Sequence, residues 1–479
     1  MLRPLNRETA GLKQTRPVKV IQFGDGNFMR GFMDWIIDIL NEKTDFDGSV
    51  LLIRPLRKGK DDKKFEQDGL FHVAQRGLLN GKTVSETRLI TCVNRALNPY
   101  LDFDSFLRTA ENSDLQFIIS NTTEAGIAFD ASDSDINSVP NSFPGKVTRL
   151  LFQRFTFFKK DNTKGLSLIP CELIEKNGEK LREIILQYAE VWNLPADFKS
   201  WIVESNTFCN TLVDRIVPGF PKDSAKEIQE SVGYEDSQIV MAEPYHLLVI
   251  EPCPATDTSL QRIKKIFPAE KAGLQVKFVS DVTPYRTSKV RILNGAHTTL
   301  VPIAYLRGLR TVMESINDAY IGDFVSKAVN EEIIPTLDLP EDELRQFASD
   351  VIERFKNPFI RHELISIALN SISKFKVRVL PSILEYERRT KKLPNRLLQA
   401  FAALIVFYKG SWRGVAIPLN DSPEVLAFFK DAWASENVES AVHKTLSHAS
   451  FWGSDLTEVN GLEKVVTNHV IELLNADVN

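Results

Sequence analysis

The sequence predicts an α/β fold class, with a doubly wound, largely parallel sheet in residues 1–284 and a mostly α-helical domain in residues 285–479. Three observations predict it. Short apolar runs of strand length alternate with helical segments through the first half, the pattern of repeated βαβ units. A glycine-rich turn joins the first strand directly to the first helix. Beyond Pro284, apolar residues recur at helical spacing in one segment after another. The change of pattern puts the domain boundary near 281–286.

The first strand is Val18–Phe23, followed at once by Gly24-Asp25-Gly26-Asn27-Phe28-Met29-Arg30-Gly31. Phe32, Trp35, Ile36, Ile39 and Leu40 then mark one face of a helix. Strand, glycine turn and helix together make the phosphate-binding corner of a Rossmann-like dinucleotide fold. There Gly24 allows the tight turn, Gly26 lets a pyrophosphate approach the backbone, and the helix N-terminus faces the anion. Phe23, Gly24, Asp25, Gly26, Asn27 and Phe28 are the candidate cofactor-binding residues. Met29 stands where G-x-G-x-x-G has its third glycine, and Gly31 comes two residues late, so the motif also fits an ordinary βα turn. The second strand covers 50–53, and 69–77 with 82–87 read as a hairpin about Asn80-Gly81, a pair suited to a type I′ turn. Strands at Phe117–Ser120 and 166–169 flank a helix over 147–157, and another helix covers 178–192. The stretch 218–275 is mixed, with a strand at 245–250 and a helix at 259–266, before 276–282 returns to the sheet. Helical runs then follow, including 289–307, Glu341–Phe355 and 394–408.

Lys289-Val-Arg-Ile-Leu-Asn294-Gly-Ala-His297 opens the helical half. On a regular α-helix, at about 100° per residue, Lys289, Asn294 and His297 share one face while Arg291 falls outside it. Lysine, amide and imidazole on one side can move a proton on and off a carbinol oxygen: a buried lysine as acid/base, an amide donating to an oxyanion, an imidazole steering the hydroxyl. A surface lysine beside a packed histidine has the same spacing.

Composition fits an enzyme acting on a small molecule. The 59 basic and 63 acidic residues balance to −4, which argues against nucleic acid as the main partner. The basic cluster at 58–64 is diluted by Asp61 and Asp62 and reads as a solvated loop. Cys92, Cys171, Cys209 and Cys253 are scattered, so neither a disulfide framework nor a zinc site is expected. No signal peptide or membrane span is read from the chain, and a cytoplasmic monomer or small homo-oligomer, with no membrane partner, is expected.

The segments G-D-G-N-F-M-R at 24–30, N-T-T-E-A-G at 121–126, N-T-L-V-D-R-I at 210–216 and K-V-R-I-L-N-G-A-H at 289–297 resemble the mannitol dehydrogenase family of polyol-specific long-chain dehydrogenases. The likeness runs from about Arg16 to the last helix, and narrower stretches such as P-C-E-L-I-E-K-N-G are similar to its uronate-metabolising branch. It implies a metal-independent oxidoreductase that interconverts a hexuronate and an aldonate with NAD. It implies Lys289 as general acid/base, Asn294 as oxyanion donor and His297 as the substrate-orienting group. Asn177 is carried over more loosely as a second oxyanion donor, because the polyol enzymes read C-D-N where this chain reads C-E-L. Val213, Asp214 and Lys374 match pocket positions. The arginine that stands eight residues before that lysine in the polyol enzymes is Ser366 here, which counts against a simple hexitol. From the residues themselves, Asn210 and Asp214 also fit a loop that bonds its own backbone, and Lys374 a solvated basic face.

A uronate carries a carboxylate, which arginine grips in bidentate fashion. Arg361, Arg378 and, less well placed, Arg291 are the candidate anchors. The cofactor readings conflict. Arg54, with Arg57 and Lys58, makes a basic tip after the second strand that would welcome the 2′-phosphate of NADP, whereas the resemblance implies NAD. Fructuronate or mannitol as substrate, or a non-catalytic nucleotide-sensing role, are the other readings.

Overall fold

A computed structural model describes residues 2–12, 15–54, 67–123, 125–435 and 437–476. The chain forms two compact units. One comprises Met1–Arg76 and Thr83–Val282, the other Gly77–Lys82 and Thr283–Asn479.

The first unit is built on an eight-stranded sheet. Its strands are β1 (Val18–Phe23), β2 (Ser49–Ile53), β3 (Val93–Leu97), β4 (Phe117–Ser120), β5 (Ser167–Pro170), β6 (Thr207–Asp214), β7 (Leu247–Cys253) and β8 (Val276–Phe278). In space they run β3-β2-β1-β4-β5-β6-β7-β8, so the winding reverses between β1 and β4. Such a reversal opens a crevice at the carboxyl ends of the strands, where ligands of α/β sheets sit. All neighbouring pairs are parallel except β6 with β7, which run antiparallel from Phe208↔Cys253 to Asp214↔Leu247. Strand β2, Ser-Val-Leu-Leu-Ile, is buried at every position, as expected of a strand covered on both faces. Apolar side chains from alternate strand positions enter two separate cores. Ile21 and Phe23 pack with Ile118, Val147 and Leu168 on one side, and Val20 with Phe32, Ile36 and Ile119 on the other.

The hairpin strands are Phe71–Leu79, two residues later than the sequence predicts, and Lys82–Ile90, three residues longer, and Val240–Ala242 pairs in parallel with the first. Asn80 and Gly81 have φ of 53° and 73°, the two positive values a type I′ turn needs. Strands β3 and β6 are not read from the sequence. In β6, Thr-Phe-Cys-Asn-Thr-Leu-Val-Asp, polar residues are buried through side-chain hydrogen bonding rather than apolarity, whereas β3, Val-Asn-Arg-Ala-Leu, buries only Val93. All four cysteines are buried free thiols.

Among the described residues the second unit is helical apart from the hairpin tip Gly77–Lys82, a hairpin of two-residue strands, Ser411–Trp412 with Val415–Ala416, and the bridge Thr311↔Glu363. At its centre lies Asn395–Phe407, apolar around nearly its whole circumference, packed against the helices Gly295–Leu306 and Leu462–Asn475. Buried Glu332 receives the main-chain N–H groups of Arg396 and Leu397 at 3.0 and 2.9 Å, supplying from another helix the cap this helix lacks. The Asn80 and Gly81 N–H groups of the hairpin tip donate to Glu353. No helix among the described residues is long and apolar enough to cross a membrane.

Candidate active site

At the carboxyl end of β1, Phe23 stands level with Ile53 of β2 and Ser120 of β4. The Phe23 ring is 0% exposed and packs edge-on against Phe143 at 5.0 Å, which corrects its assignment to the cofactor site: only its main chain leads into the corner. Gly24 has φ of 104°, and a Cβ there would stand 2.7 Å from the Asn121 carbonyl oxygen. A side chain is excluded twice over, by conformation and by contact. Gly26, in contrast, has φ in the ordinary range and nothing within 4 Å of a Cβ position. The space it leaves open lies at the unsatisfied start of the helical segment 27–43. Bare backbone N–H groups beside that opening fit a pyrophosphate.

The first helix departs from a regular α-helix. Residues Arg30–Asp34 form a π-helical turn, and Gly31 lies within it. A Cβ on Gly31 would stand 2.8 Å from Val217 Cγ1, so this glycine allows the close helix packing that the motif assigns to its third glycine, while Met29 is buried. Asn27 Oδ1 accepts from Arg30 Nη2 at 2.6 Å, and Phe28 stacks on Phe32. Asp25 and Arg54 are half-buried, and Arg54 N–H donates to Leu97 O at 2.9 Å. Arg57, Lys58 and the rest of the predicted basic tip lie outside the described residues.

The segment after β4 is tied down by Glu172, which sequence reasoning passed over. Its buried carboxyl accepts from the Thr122 N–H and hydroxyl, both at 2.9 Å, and from the Ser120 hydroxyl at 3.0 Å. Burial raises its pKa against those hydrogen bonds. The glutamate in C-E-L, set beside N-T-T, was the available signal.

Asn177 is not a donor poised for a substrate, contrary to its expected role. It is 0% exposed, and its Nδ2 donates to Pro170 O, Glu172 O and Thr211 Oγ1 at 2.9, 3.1 and 3.0 Å. Its Oδ1 accepts from Gly178 and Thr211 N–H at 3.0 and 2.9 Å. Every bonding position of the amide is used within the protein. Asn210 likewise lies on β6 rather than in a loop, with its amide bonded to Glu179 and Glu251. Val213 and Asp214, both buried, end the same strand opposite Leu248 and Leu247.

In the second unit, Lys289–Asn294 is again a π-helical turn, between the α-helices Thr283–Ser288 and Gly295–Leu306. This corrects the regular α-helix expected there. On an α-helix five residues span about 140° beyond a full turn. The wider turn closes its hydrogen bonds over five residues, which narrows the angle between Lys289 and Asn294. Both are half-buried, and His297 follows at 9% exposure. The His297 ring stacks on Phe355 at 4.1 Å and meets His362 edge-on at 5.2 Å. Burial pushes its pKa well below the ordinary range, with His362, Arg354, Arg378 and Lys374 adding to the effect. His297 is therefore a neutral imidazole, and its Nε2 is buried without a hydrogen-bond partner among the described residues.

Those neighbours define the electrostatics: Arg354, Arg378 and Lys374 all bring positive charge toward one ring. Arg378 is half-buried, with Nη1 3.5 Å from Thr298 Oγ1, and desolvation lowers its pKa. Lys374 Nζ donates to Ile367 O at 2.8 Å, and desolvation with nearby Arg378 lowers its pKa. Arg361 is exposed and paired with Glu363 at 2.6 Å, so it is not drawn into this group. Arg291 is half-buried, with Nη1 lacking a partner among the described residues. Ser366 is exposed and bonds its hydroxyl to Glu363 O. Arg354 was missed and His362 was given no role; their only sequence signal is adjacency to Phe355 and to the candidate Arg361.

Glu179, Glu251 and Cys253 approach one another within 4.8 Å. The Asn210 amide and the Val282 N–H already occupy their oxygens, giving the cluster a structural account.

Residues 18–264 match the mannitol dehydrogenase Rossmann domain and residues 281–474 the mannitol dehydrogenase C-terminal domain. An altronate oxidoreductase of Yersinia pestis bv. Antiqua (strain Nepal516) is 46% identical over 468 residues, covering 96% of this chain and 95% of that one. One from Bacillus subtilis (strain 168) is 46% identical over 477 residues, covering 98% and 96%. Among solved structures, substrate-free D-sorbitol dehydrogenase aligns with a TM-score of 0.80 at 22% identity, covering 98% of each chain. Pseudomonas fluorescens mannitol 2-dehydrogenase, in a ternary complex with NAD and D-mannitol, aligns at 0.66 and 20% identity over 98% and 97%. These two carry the fold alone. The sequence matches span both halves of the polypeptide, and on them the chain belongs to the mannitol dehydrogenase family.

Proposed function

We propose that the protein catalyses the reversible, NAD-linked reduction of D-tagaturonate to D-altronate. Full-length relatives named altronate oxidoreductase support the substrate pair. The observation that carries the choice of an acidic sugar is the gathering of Arg354, Arg378 and Lys374 about a neutral His297. A carboxylate offers Arg378 and Lys374 charge-assisted hydrogen bonds that a neutral polyol does not. Arg378 is the favoured anchor, because Arg361 is already paired with Glu363 in solvent.

The Gly24–Phe28 corner would hold the pyrophosphate of the dinucleotide, with Gly26 leaving the backbone open to it. When bound, the dinucleotide supplies or accepts the hydride. Lys289 carries the proton. In reduction its ammonium gives a proton to the carbonyl oxygen as the carbon gains hydride, and in oxidation the neutral amine takes the hydroxyl proton. Asn294, one π turn beyond Lys289, donates its amide N–H to the same oxygen as charge develops. His297, neutral and with Nε2 unpartnered among the described residues, fixes a substrate hydroxyl. The family likeness carries over Val213 and Asp214, and separately Lys374, as further substrate-binding residues. NAD is preferred to NADP on the family likeness, although Arg54 is a cation near the end of β2.

The test is a substrate panel of tagaturonate, fructuronate and fructose, each with NADH and with NADPH. Tagaturonate with NADH should give the highest kcat/KM. Faster fructuronate or fructose turnover would move the substrate, a strong NADPH preference would move the cofactor, and NADH binding without turnover of any of them would favour a sensing role.

A further inference from the structure

One arginine ties the helix of the glycine corner to the end of the strand that carries Val213 and Asp214. Strand β6 ends at Asp214, and the next residue, Arg215, is buried at 5% exposure. Its guanidinium acts as a fork. Nη1 donates to the Gly31 carbonyl at 2.7 Å, and Nε donates to the Glu243 carbonyl at 2.9 Å. Gly31 lies in the π-helical turn Arg30–Asp34, just beyond the corner. A π turn alters the main-chain pairing of a helix, and here one of its carbonyls takes a donor from outside. The guanidinium also lies over the ring of Trp35, the first residue after that turn, 4.1 Å from its centroid.

The neighbouring chain reinforces the contact. Glu243 Oε1 accepts the Ile216 N–H at 2.6 Å, and the Glu243 N–H donates to Ile216 O at 3.0 Å. Val217 is the side chain that a Cβ on Gly31 would strike, and Gly219, at φ of 96°, leaves room for the Asn27 amide, which a Cβ there would overlap. From Arg215 to Gly219 the chain therefore runs along the helical segment that opens at Asn27. Stability is a poor account of the arginine itself. Its Nη2 is buried without a partner among the described residues, and a stranded donor costs about 1–3 kcal/mol. Burial lowers the guanidinium pKa to about 9, with Glu243 opposing, so the group is charged at neutral pH. A buried charge adds little net stability over an apolar side chain of its volume, whereas a planar fork fixes the spacing of the two groups it joins.

We propose that Arg215 is a positioning residue for hydride transfer: it fixes the end of β6, with Val213 and Asp214, against the helix of the corner that receives the dinucleotide. The inference rests on the reading of that corner as the dinucleotide site and of Val213 and Asp214 as substrate-binding residues. Arg215 acts through Gly31 on one side and through Asp214 on the other. A misplacement of about 1 Å between hydride donor and acceptor costs about 100-fold in rate, so a small slip at this fork reaches the chemistry.

The test is stopped-flow oxidation of NADH by the full chain, with protein and NADH premixed in equal amounts above Kd and then mixed with saturating tagaturonate. The first-turnover rate constant reads alignment, and its amplitude reads the fraction of folded, loaded protein. Arg215→Met should lower the rate constant by about 10–100-fold at near-full amplitude. Arg215→Lys keeps the charge but not the fork; it should slow the step by about threefold to tenfold, and it serves if Arg215→Met does not fold. A rate constant equal to that of the wild type in either variant, with or without a loss of amplitude, would overturn the proposal, because a residue that only holds the fold changes the amplitude alone. That result would leave the dinucleotide and substrate reading intact. Absence of NADH oxidation by the wild type with tagaturonate or fructuronate would overturn both.

Discussion

Asn177→Ala distinguishes an amide that holds the fold from one that serves the reaction. The wild-type side chain makes five hydrogen bonds, three donated and two accepted, in the fully buried space between the end of β5 and the middle of β6. Truncation leaves the Thr211 and Gly178 N–H groups without their acceptor, while the Glu172 carbonyl keeps the Ile174 N–H at 2.8 Å. Pro170 O keeps the Thr211 hydroxyl, which donates to it at 2.5 Å. At about 1 kcal/mol net for each bond, with the desolvation of stranded groups added, the loss comes to about 3–5 kcal/mol. The assay is urea unfolding followed by far-UV circular dichroism, with kcat and KM measured on the fraction that folds. The structure requires a large fall in the unfolding midpoint and a kcat in the folded fraction within about tenfold of wild type. A variant of wild-type stability whose kcat drops by about 100-fold or more would refute the reasoning and restore Asn177 as an oxyanion donor.

Lys289→Ala should lower kcat by about 10²–10⁴-fold with NADH affinity intact, as measured by steady-state kinetics and fluorescence titration. Gly24→Ala should weaken NADH by about tenfold or more, since a left-handed residue costs about 1–2 kcal/mol and the new Cβ meets Asn121 O. Arg378→Leu should raise KM for tagaturonate by about 10–100-fold while leaving KM for an uncharged ketose unchanged; equal effects on both would remove the carboxylate from its role. His297→Gln should lower kcat/KM without changing the shape of the pH–rate profile. Burial keeps this imidazole neutral, so no acidic limb belongs to it, and the disappearance of such a limb would contradict that protonation state.

Much of the architecture was legible because apolar periodicity and glycine placement are local properties. Val18–Phe23 followed by Gly24 gives the strand, turn and helix directly, and Asn80-Gly81 gives its hairpin turn. What was not legible depends on partners distant in sequence. β6 carries Asn210 and Thr211 inside the sheet because Glu179 and Asn177 bond them, and no window on 207–214 reveals that. The π turns at Arg30–Asp34 and Lys289–Asn294 insert residues that a fixed 100° step cannot register, so the packing role of the late Gly31 emerged only in three dimensions. The site was read in part. Its lysine, amide and histidine come from one helix, whereas Arg354 and His362 approach His297 from separate segments. Asn177 was misread because an Asn-Gly pair looks the same whether its amide is open or fully bonded.

The most direct measurement is a progress curve of NADH oxidation with tagaturonate, run in parallel for the wild-type protein and Lys289→Ala. The wild-type protein should oxidise NADH rapidly and yield altronate in a one-to-one ratio with NADH consumed, and the variant should turn over about 100-fold or more slowly. Equal rates in the two proteins, or no altronate formed by the wild type, would contradict it.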